Sequence, residues 1–317
     1  MAEAALAVDD LSLAIGAARV VDGVGFSVAP GEVLALVGES GCGKSLTAQA
    51  VMRLLPDAIR QVSGRVRLAG DDISALPERR MRELRGRRIS MIFQEPQAAL
   101  DPLATVGAQV AEALRLPPRS AQENVRRMLA DVGIADPGRR IDQYPFELSG
   151  GMCQRVMIAT ALISGPAVLL ADEPTTALDV TIQAQILELL RRLAIERQTA
   201  VVLITHDMGV VADIADRVAV MYAGRIAETG AIEAIFAEPR HPYTALLLAS
   251  IPRLNDAPKS KLAVIMGRVP TPAEYGPGCR FAGRCPLGDA RCVEETPPLR
   301  PVGDRRMSAC WHAERVG

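Results

Sequence analysis

The 317 residues are 49% hydrophobic and 3% aromatic, which excludes a disordered or fibrous chain and is ample for one large or two unequal globular domains. Thirty-six basic against 37 acidic side chains leave a formal charge of −1, so no whole-chain basic field holds nucleic acid or an anionic membrane. Arginine supplies 33 of the basic residues and lysine three, Lys44, Lys259 and Lys261, so Lys44 stands alone in the first 258 positions.

Residues 1–10 carry neither a basic region nor a long apolar run, which predicts no signal peptide and a cytosolic chain. Leu11, Leu13 and Ile15 alternate with small or polar residues and residues 33–37 are apolar throughout, so residues 6–37 read as β-rich, ending in a buried strand. Glycine-rich residues 38–43 and a helical pattern to about residue 55 then give strand, loop, helix. Residues 77–165, rich in Arg and Ala, read as a largely helical insertion with little strand signal. The longest uncharged apolar stretch, residues 156–171, is broken by Gly165-Pro166 and is too short to cross a bilayer. Apolar runs at 168–171 and 200–205 flank Ile182, Ile186, Leu189, Leu190 and Leu193 at helical spacing, a βαβ unit on a parallel sheet. Residues 218–229 read as a closing hairpin around Ala223-Gly224. From about residue 236 the composition changes: 11 of 22 prolines and four of six cysteines lie beyond it, with an irregular stretch at 252–278. The predicted domains are therefore 1–235, its helical part at about 95–165, and an appendage at 236–317.

Gly38-Glu39-Ser40-Gly41-Cys42-Gly43-Lys44-Ser45 matches G-x-x-x-x-G-K-[ST] between a buried strand and a helix. Glycines there let backbone N–H groups form an anion nest, the helix N-terminus adds its dipole, Lys44 reaches the β/γ-phosphates, and Ser45 binds Mg²⁺. Asp172-Glu173 closes the 168–171 run, placing two carboxylates at the carboxyl edge of the sheet. Alone, such a pair is an ordinary solvated turn; beside a phosphate loop, Asp172 suits Mg²⁺ and Glu173 suits polarising a water. Residues 148–155, Leu-Ser-Gly-Gly-Met-Cys-Gln-Arg, form a second Gly-containing turn ahead of a helix, by spacing either an anion site or a plain N-cap.

That last segment resembles the signature motif of ATP-binding cassette (ABC) ATPases. The order of phosphate loop, Phe93-Gln94, signature, Asp172-Glu173, Ala177-Leu178-Asp179 and His206 is also similar to theirs. The resemblance implies an α/β fold: a RecA-like P-loop core with an antiparallel β subdomain and a helical subdomain. It further implies ATP hydrolysis with Mg²⁺ in a head-to-tail dimer, where Ser149, Gly150 and Gly151 serve the partner's nucleotide. Gln94 would contact Mg²⁺ or the water and link the insertion to the core, His206 would donate to the γ-phosphate, and Asp179 would lie at the dimer seam. One departure stands out: residues 11–25 hold no aromatic residue to stack on adenine, and Ile15 is near the expected place, so weaker ATP binding is expected. Cys42 and Cys153 lie in the two loops, where small residues fit irrespective of thiol chemistry.

His241-Pro242-Tyr243-Thr244, then Leu246-Leu247-Leu248 and Ile251-Pro252, resemble the C-terminal extension of peptide- and nickel-importer ATPases, as does Tyr144-Pro145. Cys279, Cys285, Cys292 and Cys310 have neither zinc-finger nor ferredoxin spacing. Similar Cys-rich tails imply a 4Fe–4S cluster, with Zn²⁺ as the alternative and His312 as an alternative ligand. The implied function is the ATPase subunit of a di-/oligopeptide importer, peripheral on the cytoplasmic face of the inner membrane. Its implied partners are a second ATPase, identical or paralogous, two membrane-spanning permease subunits and, indirectly, an extracytoplasmic solute-binding protein; nucleic acid is not among them. The alternatives are an importer for nickel or another small solute, a soluble non-transport ABC ATPase, and an iron–sulfur sensor with a vestigial ATPase. Only 53 residues separate Gln94 from Leu148, leaving no room for the long coiled coils of DNA-repair members.

Overall fold

The computed structural model describes residues 3–175, 178–251, 264–303 and 305–316, so Ala177, Pro252, Lys259 and Lys261 lie outside the described residues. Its strands are β1 (Leu6–Ile15), β2 (Ala18–Val28), β3 (Val33–Val37), β4 (Ile59–Leu68), β5 (Asp71–Asp72), β6 (Ile89–Ile92), β7 (Val168–Asp172), β8 (Ala200–Thr205), β9 (Arg217–Tyr222), β10 (Arg225–Ala231), β11 (Arg300–Pro301) and β12 (Met307–Ser308). The chain divides into two compact units: Leu68–Ile204 with Met1–Leu6 and Val28–Val33, and Ala7–Ser27, Leu34–Arg67 and Thr205–Gly317. No helix among the described residues is long and apolar enough to cross a membrane.

In the first unit β6, β7 and β8 pair in parallel, Ile89 opposite Val168 and Val168 opposite Ala200. Every residue of these strands is buried, which is why they read as uninterrupted apolar runs. The helix Val180–Arg197 connects β7 to β8 and buries Ile186, Leu189, Leu190 and Leu193, so the βαβ unit forms as expected. β6 corrects the expectation of little strand signal across residues 77–165: four residues among Arg85, Arg87 and Arg88 are too few for a visible period, and only pairing with β7 makes them a strand. The rest of the insertion is helical, chiefly Val106–Glu112, Pro118–Asp131 and Gly150–Leu162.

In the second unit β2, β1 and β4 lie side by side. β4 was not evident from the sequence because Ser63-Gly64 interrupts its alternation. β3 pairs in parallel with β9, β9 forms the expected hairpin with β10, and β12 adds to β10 with Glu228 opposite Ser308. The compact units thus cut across the 235/236 boundary: the strand feeding the phosphate loop and the cysteine-rich segment share one unit.

His241 joins the two parts of this unit. It accepts the Tyr243 N–H on Nδ1 at 3.1 Å, capping the helix Pro242–Ala249, and its ring lies 5.9 Å from the buried Phe281. Burial pushes its pKa down from 6.5 to about 4, so protonation favours the unfolded chain: the stability is full above pH 6.5 and declines as the pH falls toward about 4. A thermal midpoint that drops over this window in the wild type but less in His241→Asn, which keeps a capping acceptor, is the expected result.

Candidate active site

The phosphate loop belongs to the second unit. Val37 ends β3 and the helix Lys44–Met52 begins six residues after Gly38, with Gly43 as N-cap at φ 102°. A Cβ on Gly38, at φ 152°, would overlap the carbonyl of Met221, and one on Gly43 would meet Val21 and Met221, so both positions require glycine. Lys44 is 5% exposed, and its Nζ donates to the carbonyls of Gly38 at 2.7 Å and Glu39 at 3.1 Å, which holds it along the inside of the loop. Gly41 is open to solvent, and Ser45 occupies the first helical turn. Cys42 is buried; burial raises its thiol, as it does that of Cys153, and both are 1% exposed, which argues against thiol regulation at either loop.

In the first unit the structure brings Gln94 to Glu173, the Gln94 amide donating to the carboxylate at 3.3 Å across 79 positions of sequence. Asp172 is 4% exposed at the end of β7. Glu173 is half-buried with φ 45°, a left-handed conformation that costs a non-glycine residue energy, and its N–H is tied to the Ile204 carbonyl at 2.9 Å. Ser149 caps the helix Gly150–Leu162, accepting the Met152 N–H at 3.4 Å. Among the described residues a Cβ on Gly150 would meet no atom beyond its own chain neighbours and helix turn, so packing among them does not explain that glycine. Gln154, buried, donates to the Pro174 carbonyl and couples the signature helix to the turn after Glu173, a contact across 20 residues that the sequence did not indicate. Asp179 caps the helix Val180–Arg197 through the Ile182 N–H at 2.9 Å, next to Val180, which is 84% exposed. His206 is exposed just past β8.

Ile15, at the end of β1, is 46% exposed, an apolar platform in the same unit as the phosphate loop. Ile15→Tyr is expected to tighten ATP binding about three- to tenfold by adding a stacking face. A nucleotide titration showing no tightening would remove Ile15 from the base contact.

The four late cysteines are gathered by the cysteine-rich segment, whose Cys279 N–H donates to the Cys292 carbonyl at 2.7 Å. Cys292 and Cys310 are buried, Cys279 and Cys285 half-buried. Burial raises all four thiols, Cys310 to about 11, and the nearness of the other cysteines adds to the rise at Cys279, Cys285 and Cys310. Asp289, Cys292 and His312 bring one ligand atom each within 4.8 Å of one another, with His312 Nε2 2.9 Å from Asp289.

Residues 21–176 match the family model described as ABC transporter, and residues 227–292 match the model of the oligopeptide/dipeptide transporter C-terminal region. The chain is 50% identical over 303 residues to a probable peptide ABC transporter ATP-binding protein, y4tR, of Sinorhizobium fredii, covering 94% of this chain and 90% of that one. It is 50% identical over 301 residues to the dipeptide transport ATP-binding protein DppD of Bacillus subtilis, covering 93% and 90%. Among solved structures it is similar to cbiO1 of Clostridium perfringens, part of the ABC transporter complex cbiONQ, with TM-score 0.65, 29% identity and coverage of 74% and 92%. It is also similar to the ATP-binding cassette MJ0796, a dimer bound to ADP and Pi in a post-hydrolysis state, with TM-score 0.64, 25% identity and coverage of 72% and 98%.

Proposed function

Because the chain belongs to the ABC transporter family, and within it matches the oligopeptide/dipeptide transporter type, we propose that it is the ATP-hydrolysing subunit of an importer of di- and oligopeptides. The observation that carries this reading is near-full-length identity of 50% to peptide-transport ATP-binding proteins in a chain whose phosphate loop has both required glycines in place.

In this reading the loop N–H groups and Lys44 bind the β- and γ-phosphates, with Gly38, Glu39, Ser40, Gly41, Cys42 and Gly43 shaping the nest. Ser45, Gln94 and Asp172 are oxygen donors, the set that Mg²⁺ prefers, and the ion would neutralise phosphate charge. Glu173 takes a proton from the water that attacks the γ-phosphorus; the bond from that phosphorus to the bridging oxygen breaks, leaving ADP and phosphate. Gln94, hydrogen-bonded to Glu173, keeps the carboxylate oriented, and His206 donates to the γ-phosphate. A second ATPase chain completes the site: the space over Gly150 leaves room for a nucleotide held by a partner, and the exposed Asp179-Val180 turn is available at a seam. Ser149, Gly150 and Gly151 then serve the partner's ATP. The permease partners are supported by exposed apolar side chains around the insertion, Phe93, Leu103 and the Tyr144–Phe146 stack with ring centroids 5.5 Å apart. Such a complex places the chain on the cytoplasmic face of the inner membrane.

Cys279, Cys285, Cys292 and Cys310 would hold a 4Fe–4S cluster, which would cross-link the segment. Four thiolates on one zinc ion, each about 2.3 Å from it, crowd to within about 4 Å of one another. Among the described residues the set of three ligand atoms within 4.8 Å is Asp289, Cys292 and His312, and that mixed triad is the zinc alternative. Iron and acid-labile sulfide in anaerobically purified protein are expected; a colourless protein with one zinc per chain would overturn the assignment.

The function is tested by purifying the chain with its membrane subunits, reconstituting them in vesicles and measuring ATP-driven uptake across a panel of dipeptides, longer peptides and nickel chelates. Uptake of peptides is the expected result, and uptake of nickel alone would reassign the cargo.

A further inference from the structure

Glu39 lies inside the phosphate loop, yet both its ends are held from the C-terminal extension. Its carboxylate accepts two hydrogen bonds from the Arg284 guanidinium, at 2.7 and 3.0 Å, across 245 positions of sequence. Its backbone N–H donates to the hydroxyl of Tyr243 at 2.8 Å, and its carbonyl accepts from Lys44 Nζ at 3.1 Å. Arg284 is itself fixed: it donates to the Tyr222 hydroxyl at 3.2 Å and to the carbonyls of Ile265 and Met266 at 3.2 and 2.8 Å, and its side chain is 8% exposed. Tyr243 is fully buried against Tyr222 and Phe281, with ring centroids 4.6 and 5.4 Å away. Nothing in this arrangement is a loose surface ion pair: a planar fork grips a carboxylate from a packed aromatic base.

We propose that Arg284 is a positioning residue for nucleotide binding: by clamping Glu39 it sets the shape of the phosphate loop and the direction of Lys44, so the extension tunes the subunit's affinity for ATP. The proposal rests on the nucleotide-binding reading of the loop. Without the clamp, the Glu39 carboxylate loses its partner, the loop samples open shapes, and ATP must order it on binding. Neither Arg284 nor Tyr243 is placed at the reacting phosphate, so losing the clamp falls chiefly on nucleotide affinity.

The test uses the full chain and a fluorescent ATP analogue with Mg²⁺, together with ATP turnover in the assembled complex. Arg284→Gln and Glu39→Gln are each expected to weaken analogue binding about tenfold, as for loss of a shielded charge-assisted pair, and the double variant no further than either single one. In Arg284→Gln the KM for ATP rises by a larger factor than kcat falls, and Arg284→Lys, which keeps the charge without the fork, recovers part of the affinity. Tyr243→Phe, which removes only the hydroxyl, supplies a second route should Arg284→Gln not fold, and about threefold weaker binding is expected of it. Unchanged affinity in Arg284→Gln, unchanged affinity in Tyr243→Phe, or losses that multiply in the double variant would overturn the clamp. Undiminished binding by Lys44→Ala would overturn the loop reading itself, and the clamp with it.

Discussion

Glu173→Gln is expected to retain ATP binding while turnover in the assembled complex falls about a hundredfold or more, the usual cost of losing a general base. The substitution preserves size and a hydrogen-bonding partner for Gln94, which lies 3.3 Å away, so its effect reports on proton acceptance rather than on packing. The backbone reinforces that separation: the φ of 45° and the bond from the Glu173 N–H to Ile204 are set by the main chain, and a glutamine inherits both. With hydrolysis blocked, the assembled complex is expected to retain bound ATP, read as nucleotide that co-elutes with it in gel filtration. Phosphate release at the wild-type rate would remove Glu173 from the role of base.

Lys44→Arg, conservative by charge, is expected to abolish hydrolysis, with at least a hundredfold loss in phosphate release and a matching loss of nucleotide binding. Lys44 is 5% exposed, and its ammonium is lodged between the carbonyls of Gly38 and Glu39 in a loop whose turn tolerates no Cβ at Gly38. A compact ammonium fits there and still reaches a phosphate, whereas a planar guanidinium is too broad to lie along that path. In a chain with 33 arginines and three lysines, the retention of lysine at this position is itself consistent with such a steric limit. Wild-type turnover by Lys44→Arg would show that charge alone suffices.

The parts of the fold and site visible in the sequence are those encoded within a few residues. The phosphate loop is eight consecutive residues between a buried strand and a helix, and the unit from β7 to β8 announces itself through two apolar runs and a helical period between them. β6 was hidden because its four residues become a strand only by pairing with β7, and β4 because Ser63-Gly64 breaks its alternation. Contacts made at a distance left no trace in the residues themselves: Gln154 on the Pro174 carbonyl and Arg284 on Glu39 join positions whose side chains carry no local sign of their partners, whereas Gln94 and Glu173 were brought to one water by the family resemblance alone. The shift in proline and cysteine content marks a change of chain texture, while the compact units follow the strand pairing that joins the cysteine-rich segment to the unit of the phosphate loop.

The pairing of β12 with β10 has a consequence for biosynthesis. β10 is complete at Ala231, but the strand that covers its edge arrives only with Met307 and Ser308. A nascent chain emerging from the ribosome thus carries, for the length of about 75 further residues, an unpaired edge of the kind that recruits other strands. Folding of this half is late and non-local, and a chain terminated before residue 307 would leave that edge bare, ready to aggregate.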